Sequence, residues 1–119
     1  MKKVVLYFPG QGAQQVGMLA DLAAQYPIIE ETFAQASEAI QQDLWSLAQN
    51  GPAEELNLTY NTQPILVTAS AAIWNVIQQE VGDGISVVAS AGHSVGEYSA
   101  LYAAGILSLQ DAVRLVKKR

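Results

Sequence analysis

The chain opens on an unbroken apolar run, Val4-Val5-Leu6-Tyr7-Phe8, rich in β-branched and aromatic residues and stopped by Pro9-Gly10. Residues 3–8 therefore predict a buried first strand. Gln11-Gly12-Ala13-Gln14-Gln15-Val16-Gly17 follows neither the helical nor the strand period and reads as a loop. Helical patterns then cover 18–26 and 28–41, the second with Pro27 at a favourable early position. Ile28, Ile29, Phe33, Ala36 and Ile40 recur at three- and four-residue spacing and mark a core-facing stripe. A shorter helix over Asp43–Gln49 ends at Asn50-Gly51, and Pro52–Leu56 predicts one more turn. Thr62-Gln63-Pro64 opens a long helix to about Val81, closed by Gly82; its apolar residues lie nearly all round, as in a helix buried within a larger body. Ile85–Ala91 has the content of a second buried strand. Gly96–Gly105 reads as a short helix stopped by a C-terminal glycine. Ser108-Leu109-Gln110-Asp111 resembles a capping box that starts the last helix.

This order of strand, helices, strand and helices predicts an α/β layered fold with a parallel sheet. Two strands cannot by themselves make a sheet that buries both faces. Composition sharpens the point: half of the residues (50%) are hydrophobic and 14% are charged, against about 25% charged in an ordinary soluble domain. Polar residues interrupt every apolar run well short of the roughly 18–20 residues of a membrane span. The apolar stretch after Met1-Lys2-Lys3 is also too short for a signal peptide. The excess apolar surface is expected to pack on further protein, so the chain reads as an N-terminal fragment with no membrane or nucleic-acid partner.

With no cysteine, thiol catalysis, disulfides and cysteine metal sites are excluded, and a reducing, cytoplasmic setting fits. A single histidine excludes a multi-histidine metal site within the chain, so no metal is expected. The formal net charge of −5 argues against general nucleic-acid binding. All the basic residues are Lys2, Lys3, Arg114, Lys117, Lys118 and Arg119. An anionic ligand would have to be held by backbone dipoles or by the C-terminal cluster.

Between the second strand and the helix after it stands Gly92-His93-Ser94-Val95-Gly96. Strand, Gly-x-Ser-x-Gly, helix is the setting of a nucleophile elbow. Two small flanking residues let the chain reverse tightly, Ser94 stands at the tip, and the Val95 N–H is available to an oxyanion. His93, one residue before the nucleophile, should point elsewhere and reads as a packed or hydrogen-bonded neighbour of the site. Gly10-x-Gly12 after the first strand invites a dinucleotide reading, but the third glycine of that fingerprint would fall at Gln15 and no acidic residue ends a second strand at the required distance. In the last helix Leu109, Ala112, Val113, Leu115 and Val116 form one apolar stripe, and Arg119 falls within about 50° of its centre at about 100° per residue. Arg114, Lys117 and Lys118 fall well outside it. Arg119 is either an inward-facing cation with an anionic partner or part of a frayed basic cluster that complements the helix dipole.

Phe8-Pro9-Gly10-Gln11-Gly12 and Gly92–Ala100, together with Gly51–Asn57 and Thr62-Gln63-Pro64 between them, resemble the malonyl-CoA:acyl-carrier-protein transacylases and the acyltransferase domains of polyketide synthases. The resemblance runs along the whole chain. It implies that residues 1–119 are the first part of the family's larger, α/β-hydrolase-like subdomain, with the ferredoxin-like small subdomain and the C-terminal remainder absent. It implies Ser94 as the nucleophile that becomes a malonyl ester, and the Gln11 and Val95 N–H groups as oxyanion donors. Arg119 would grip the malonyl carboxylate, while Gln63 and His93 would lie beside the substrate. The family's general-base histidine lies outside the chain. Val95, at the variable elbow position, is similar to malonyl-specific members. Malonyl-CoA is implied as substrate with no bound cofactor, acyl carrier protein as partner and fatty-acid synthesis as the process, in a complete protein expected to be a monomer. Alone, the fragment is expected to be inactive. A serine esterase or lipase would share the elbow but need no inward-facing cation, and a truncated, non-catalytic remnant is the remaining alternative.

Overall fold

The computed structural model describes residues 2–8, 10, 12–92 and 95–118, and the side chains of these except 2, 4, 83 and 85–90. Strands β1 (Lys2–Phe8) and β2 (Ile85–Gly92) pair in parallel. A parallel pair cannot be closed by a tight hairpin, and the crossover here holds α1 (Ala20–Gln25), α2 (Ile28–Ile40), α3 (Leu44–Asn50), α4 (Ala53–Leu56) and α5 (Thr59–Val81). A 3₁₀ turn over Gly82–Gly84 leads into β2, and α6 (Gly96–Ala103) and α7 (Leu109–Lys117) follow. The α/β arrangement with a parallel sheet is the one the pattern predicts. Among the described residues no helix is long and apolar enough to cross a membrane.

β1 departs from the expected buried strand. Phe8 is buried and Leu6 half-buried, whereas Val5 and Tyr7 are 66% and 71% exposed. Strand residues alternate between faces, and the helices described here cover only the Leu6/Phe8 face. The register shifts between Val4↔Val87 and Val5↔Ala89, so Val88 has no partner in the ladder.

The core gathers on α5. From Asn61 to Ala72 only Gln63 is not buried. Around α5 pack Ile29, Phe33 and Ala36 of α2 and Ala112, Val113 and Val116 of α7, and Trp45 meets Phe33 edge-on at 5.0 Å. The helix begins at Thr59, earlier than the Thr62 start the sequence suggests, which leaves Pro64 inside it. A proline at that position withdraws the N–H that the Tyr60 carbonyl would receive. Lys117 Nζ supplies a donor to that carbonyl instead, at 3.0 Å.

Helix ends follow local chemistry. α6 closes in a Schellman motif: Gly105 takes φ 80°, its N–H bonds to the Tyr102 carbonyl, and the Ile106 N–H reaches back to Leu101, both at 3.0 Å. Ser108 Oγ accepts the Asp111 N–H at 3.1 Å and starts α7, as the capping pattern predicts. Leu115 is 45% exposed and leaves the predicted stripe, which narrows to Leu109, Ala112, Val113 and Val116. Without Leu115 the centre of the stripe moves away from Arg119, to about 70° at about 100° per residue.

Candidate active site

β2 ends at Gly92 and α6 begins at Gly96, so three residues separate strand from helix. The reversal brings backbone onto backbone. A Cβ placed on Gly92 would overlap the carbonyl carbon and oxygen of Gly96 and lie 2.6 Å from the Glu97 nitrogen. Glycine is needed at this position for space. Val95 already has helical backbone angles (φ −62°, ψ −22°), and its N–H is one of the helix-start donors without an intrahelical acceptor. Its side chain is 1% exposed and part of the core. It therefore anchors the turn from inside and does not line a substrate site.

The register sets where the second motif opens. Phe8 pairs with Gly92, so both strands end at the same level. The chain therefore leaves both strands at the C-terminal edge of the sheet, where ligands bind in open α/β sheets. The loop after β1 is held by amides that the sequence pattern did not single out. Gln14 accepts the Gly12 N–H at 2.8 Å and donates through Nε2 to Asn57 Oδ1 at 2.8 Å. Further along, the Gly17 N–H bonds to the Ala48 carbonyl at 2.8 Å, and Gln49 Nε2 donates to the Met18 carbonyl at 2.7 Å. The one sequence signal for these residues is an excess of glutamine in a stretch without period.

Gln11, His93, Ser94 and Arg119 lie outside the described residues. The backbone is described on both sides of the first three, at Gly10 and Gly12 and at Gly92 and Val95, and as far as Lys118 before Arg119. Gln63 is half-buried in the second turn of α5. Because α5 starts at Thr59, Gln63 is not in its first turn, where the Thr62 start would have placed it. The turn before it receives the end of α7, through the bond from Lys117 to Tyr60.

Lys117, expected to stand clear of the packed face, is half-buried and donates to Gln42 Oε1 at 2.7 Å as well. Burial pushes its pKa below the ordinary lysine value. Arg114 is tied elsewhere, 3.7 Å from the Asp111 carboxylate and bonded through Nε to the Ala39 carbonyl at 3.3 Å. Beside the loop after β1, a cavity of about 460 Å³ is lined by Leu6, Phe8, Met18, Ala69 and Trp74 among others, with no charged residue. An anion would find no charged partner there. No group of three or more histidine, cysteine, aspartate or glutamate side chains that could hold a metal occurs among the described residues.

Residues 5–119 match the family described as "Acyl transferase domain". The chain belongs to that family. This acyl transferase domain is 59% identical over 119 residues to the malonyl CoA-acyl carrier protein transacylase of Salmonella typhimurium, covering 100% of this chain and 38% of the relative. The Bacillus subtilis (strain 168) enzyme of the same name is 48% identical, with 37% of its length covered. Among solved structures, the acyl carrier protein S-malonyltransferase of Vibrio cholerae superposes with TM-score 0.90 at 52% identity, over 98% of this chain and 37% of that one. A malonyl-transacylase in complex with a type II PKS acyl-carrier protein superposes with TM-score 0.91 at 51% identity, over 99% and 37%. The acyl transferase domain described here thus spans well under half the length of the relatives it matches.

Proposed function

We propose that this chain carries the nucleophile and one wall of the acyl site of a malonyl-CoA:acyl-carrier-protein transacylase. The observation that supports the reading most is the Phe8↔Gly92 register, which opens the elbow and the Pro9–Gly12 segment at one edge of the sheet. Ser94 Oγ attacks the thioester carbonyl carbon of malonyl-CoA, giving up its proton to a base supplied from outside this chain. The oxyanion that forms is held by the N–H groups of Val95 and Gln11. Collapse breaks the carbon–sulfur bond, releases coenzyme A as its thiol and leaves a malonyl ester on Ser94. The phosphopantetheine thiol of acyl carrier protein then attacks that ester, and the Ser94 hydroxyl is restored.

Arg119 holds the free carboxylate of the malonyl group through two parallel charge-assisted hydrogen bonds. Gln63 and His93 border the substrate. A carboxylate grip at Arg119 sets this reading apart from a neutral-ester hydrolase, whose substrate has no free carboxylate to hold. The complete protein needs no bound cofactor, works as a monomer and is cytoplasmic, serving fatty-acid synthesis. Incubating it with labelled malonyl-CoA and weighing the protein tests the nucleophile. The malonyl adduct is expected on the wild type and absent from Ser94→Ala, and an adduct that persists in Ser94→Ala overturns the assignment.

A further inference from the structure

We propose that Tyr102 is a positioning residue for the oxyanion donor at Val95, tethering the far end of α6 so that the N–H groups at its start aim in a fixed direction. This rests on the oxyanion role of Val95 given above. The tether is a relay of three side chains on three helices. Tyr102 Oη donates to Asn75 Oδ1 of α5 at 2.8 Å, Asn75 Nδ2 donates to Thr32 Oγ1 of α2 at 3.1 Å, and Thr32 Oγ1 donates to the Ile28 carbonyl at 2.7 Å.

Each bond in the relay dictates the next. A backbone carbonyl only accepts, so the Thr32 hydroxyl gives its proton to Ile28 and offers Asn75 a lone pair. The Asn75 amide therefore turns its nitrogen toward Thr32, which leaves its oxygen facing α6. A phenol brings its own proton to that oxygen, and a phenylalanine at the same place would bring none. Thr32 is buried, and it stands on the helix that supplies Ile29 and Phe33 to the core. The relay thus ends in the body of the fold.

The rest of α6 shows why the tether matters. Its buried residues are Gly96, Ser99 and Ala100, which let neighbours approach closely but raise no ridges to key the helix in place. Val95, immediately before α6, is enclosed in the core and pins that end. A helix pinned at one point can still swing about it. Tyr102 supplies the second point, about 10 Å further along the axis at about 1.5 Å of rise per residue. A shift of about 1 Å at Tyr102 turns α6 by roughly 6° and moves a donor near the pinned end by about 0.2–0.3 Å. Misplacement by about 1 Å costs on the order of a hundredfold in rate, so a shift of that size costs about threefold.

The test uses the complete protein and single-turnover acylation by malonyl-CoA, separating the rate at saturation from the concentration that half-saturates it. Tyr102→Phe keeps the ring and removes only the hydroxyl. It is expected to lower the saturating rate about threefold and leave half-saturation unchanged, because an oxyanion donor acts on charge that develops in the transition state. Asn75→Leu deletes the acceptor and should act in the same direction. The double variant should fall no further than the slower single one, because both changes remove one bond. If Asn75→Leu does not fold, Tyr102→Phe decides the case. A wild-type saturating rate in either folded single variant, losses that multiply in the double variant, or a loss confined to half-saturation overturns the positioning role. If that happens while Ser94→Ala still lacks the malonyl adduct, the nucleophile assignment stands. A Ser94→Ala protein that keeps the adduct overturns both.

Discussion

Replacing Gly92 with alanine tests the elbow through a single added methyl group. That methyl would overlap the Gly96 carbonyl and come within 2.6 Å of the Glu97 nitrogen. Flexible side chains relieve such crowding by rotating, but all of these atoms are backbone, at the start of a helix whose first residue, Gly96, is buried. Overpacking costs typically 1–3 kcal/mol, and a backbone-on-backbone clash belongs at the top of that range, about 3 kcal/mol. In a protein of a few hundred residues this lowers Tm by roughly 6–12 °C. The turn can relieve the clash only by swinging His93-Ser94-Val95 outward, so acyl-enzyme formation should fall on the order of a hundredfold. Gly105→Ala is the matched control. It has φ 80° but no atom within 4 Å of an added Cβ, so it costs only the left-handed backbone penalty, about 1 kcal/mol, and sits at the far end of α6. Its acylation rate should stay within about twofold of wild type. The assays are differential scanning calorimetry and the rate of serine acylation by malonyl-CoA in the complete protein. Wild-type Tm and acylation in Gly92→Ala, or greater damage from Gly105→Ala in both assays, would refute the backbone-contact account.

Asn57→Ala removes the acceptor that holds Gln14 Nε2 and should slow acylation several-fold with little change in Tm, since a net hydrogen bond contributes only about 1 kcal/mol; unchanged acylation would separate this amide from the site. Tyr26 donates to Glu80, and that bond together with the carboxylate charge raises the phenol pKa above the ordinary tyrosine value. The folded value exceeds the unfolded one, so its stabilisation is complete below about pH 10 and is lost as pH rises through the folded value. Tyr26 should titrate lower in Glu80→Gln when followed by NMR, and an unmoved titration would contradict the pairing.

Much of the architecture was legible because period and punctuation agree. α2, α3 and α7 begin or end where proline, asparagine-glycine and serine caps place them, and both strands announce themselves by β-branched content. The misreadings share a cause: they concern surfaces that only tertiary neighbours define. β1 has an apolar residue at every position from Val4 to Phe8, so no alternation could say which face helices would cover. Leu115 lies at the margin of its stripe, where a few tens of degrees separate packed from exposed. The start of α5 was hidden by Pro64, whose local preference for a first turn was overridden by a lysine more than fifty residues away. At the site, the elbow glycines and their spacing carried the signal, because tight backbone approach is a local demand. The Gln14–Asn57 bond joins residues far apart in sequence, and an amide pair has no period to betray it.

The level pairing of Phe8 with Gly92 also bears on how the protein is made. β1 leaves the ribosome with its partner strand some eighty residues behind it. At about 5–20 residues per second, it waits on the order of 4 to 17 seconds with both edges open and an apolar run in reach of any other extended chain. Lys2 and Lys3 at its head are the kind of flanking charge that discourages such pairing. Because the ends of β1 and β2 come level only when this distant pairing closes, a nascent chain would not bring the two strand ends together until the crossover helices had been made.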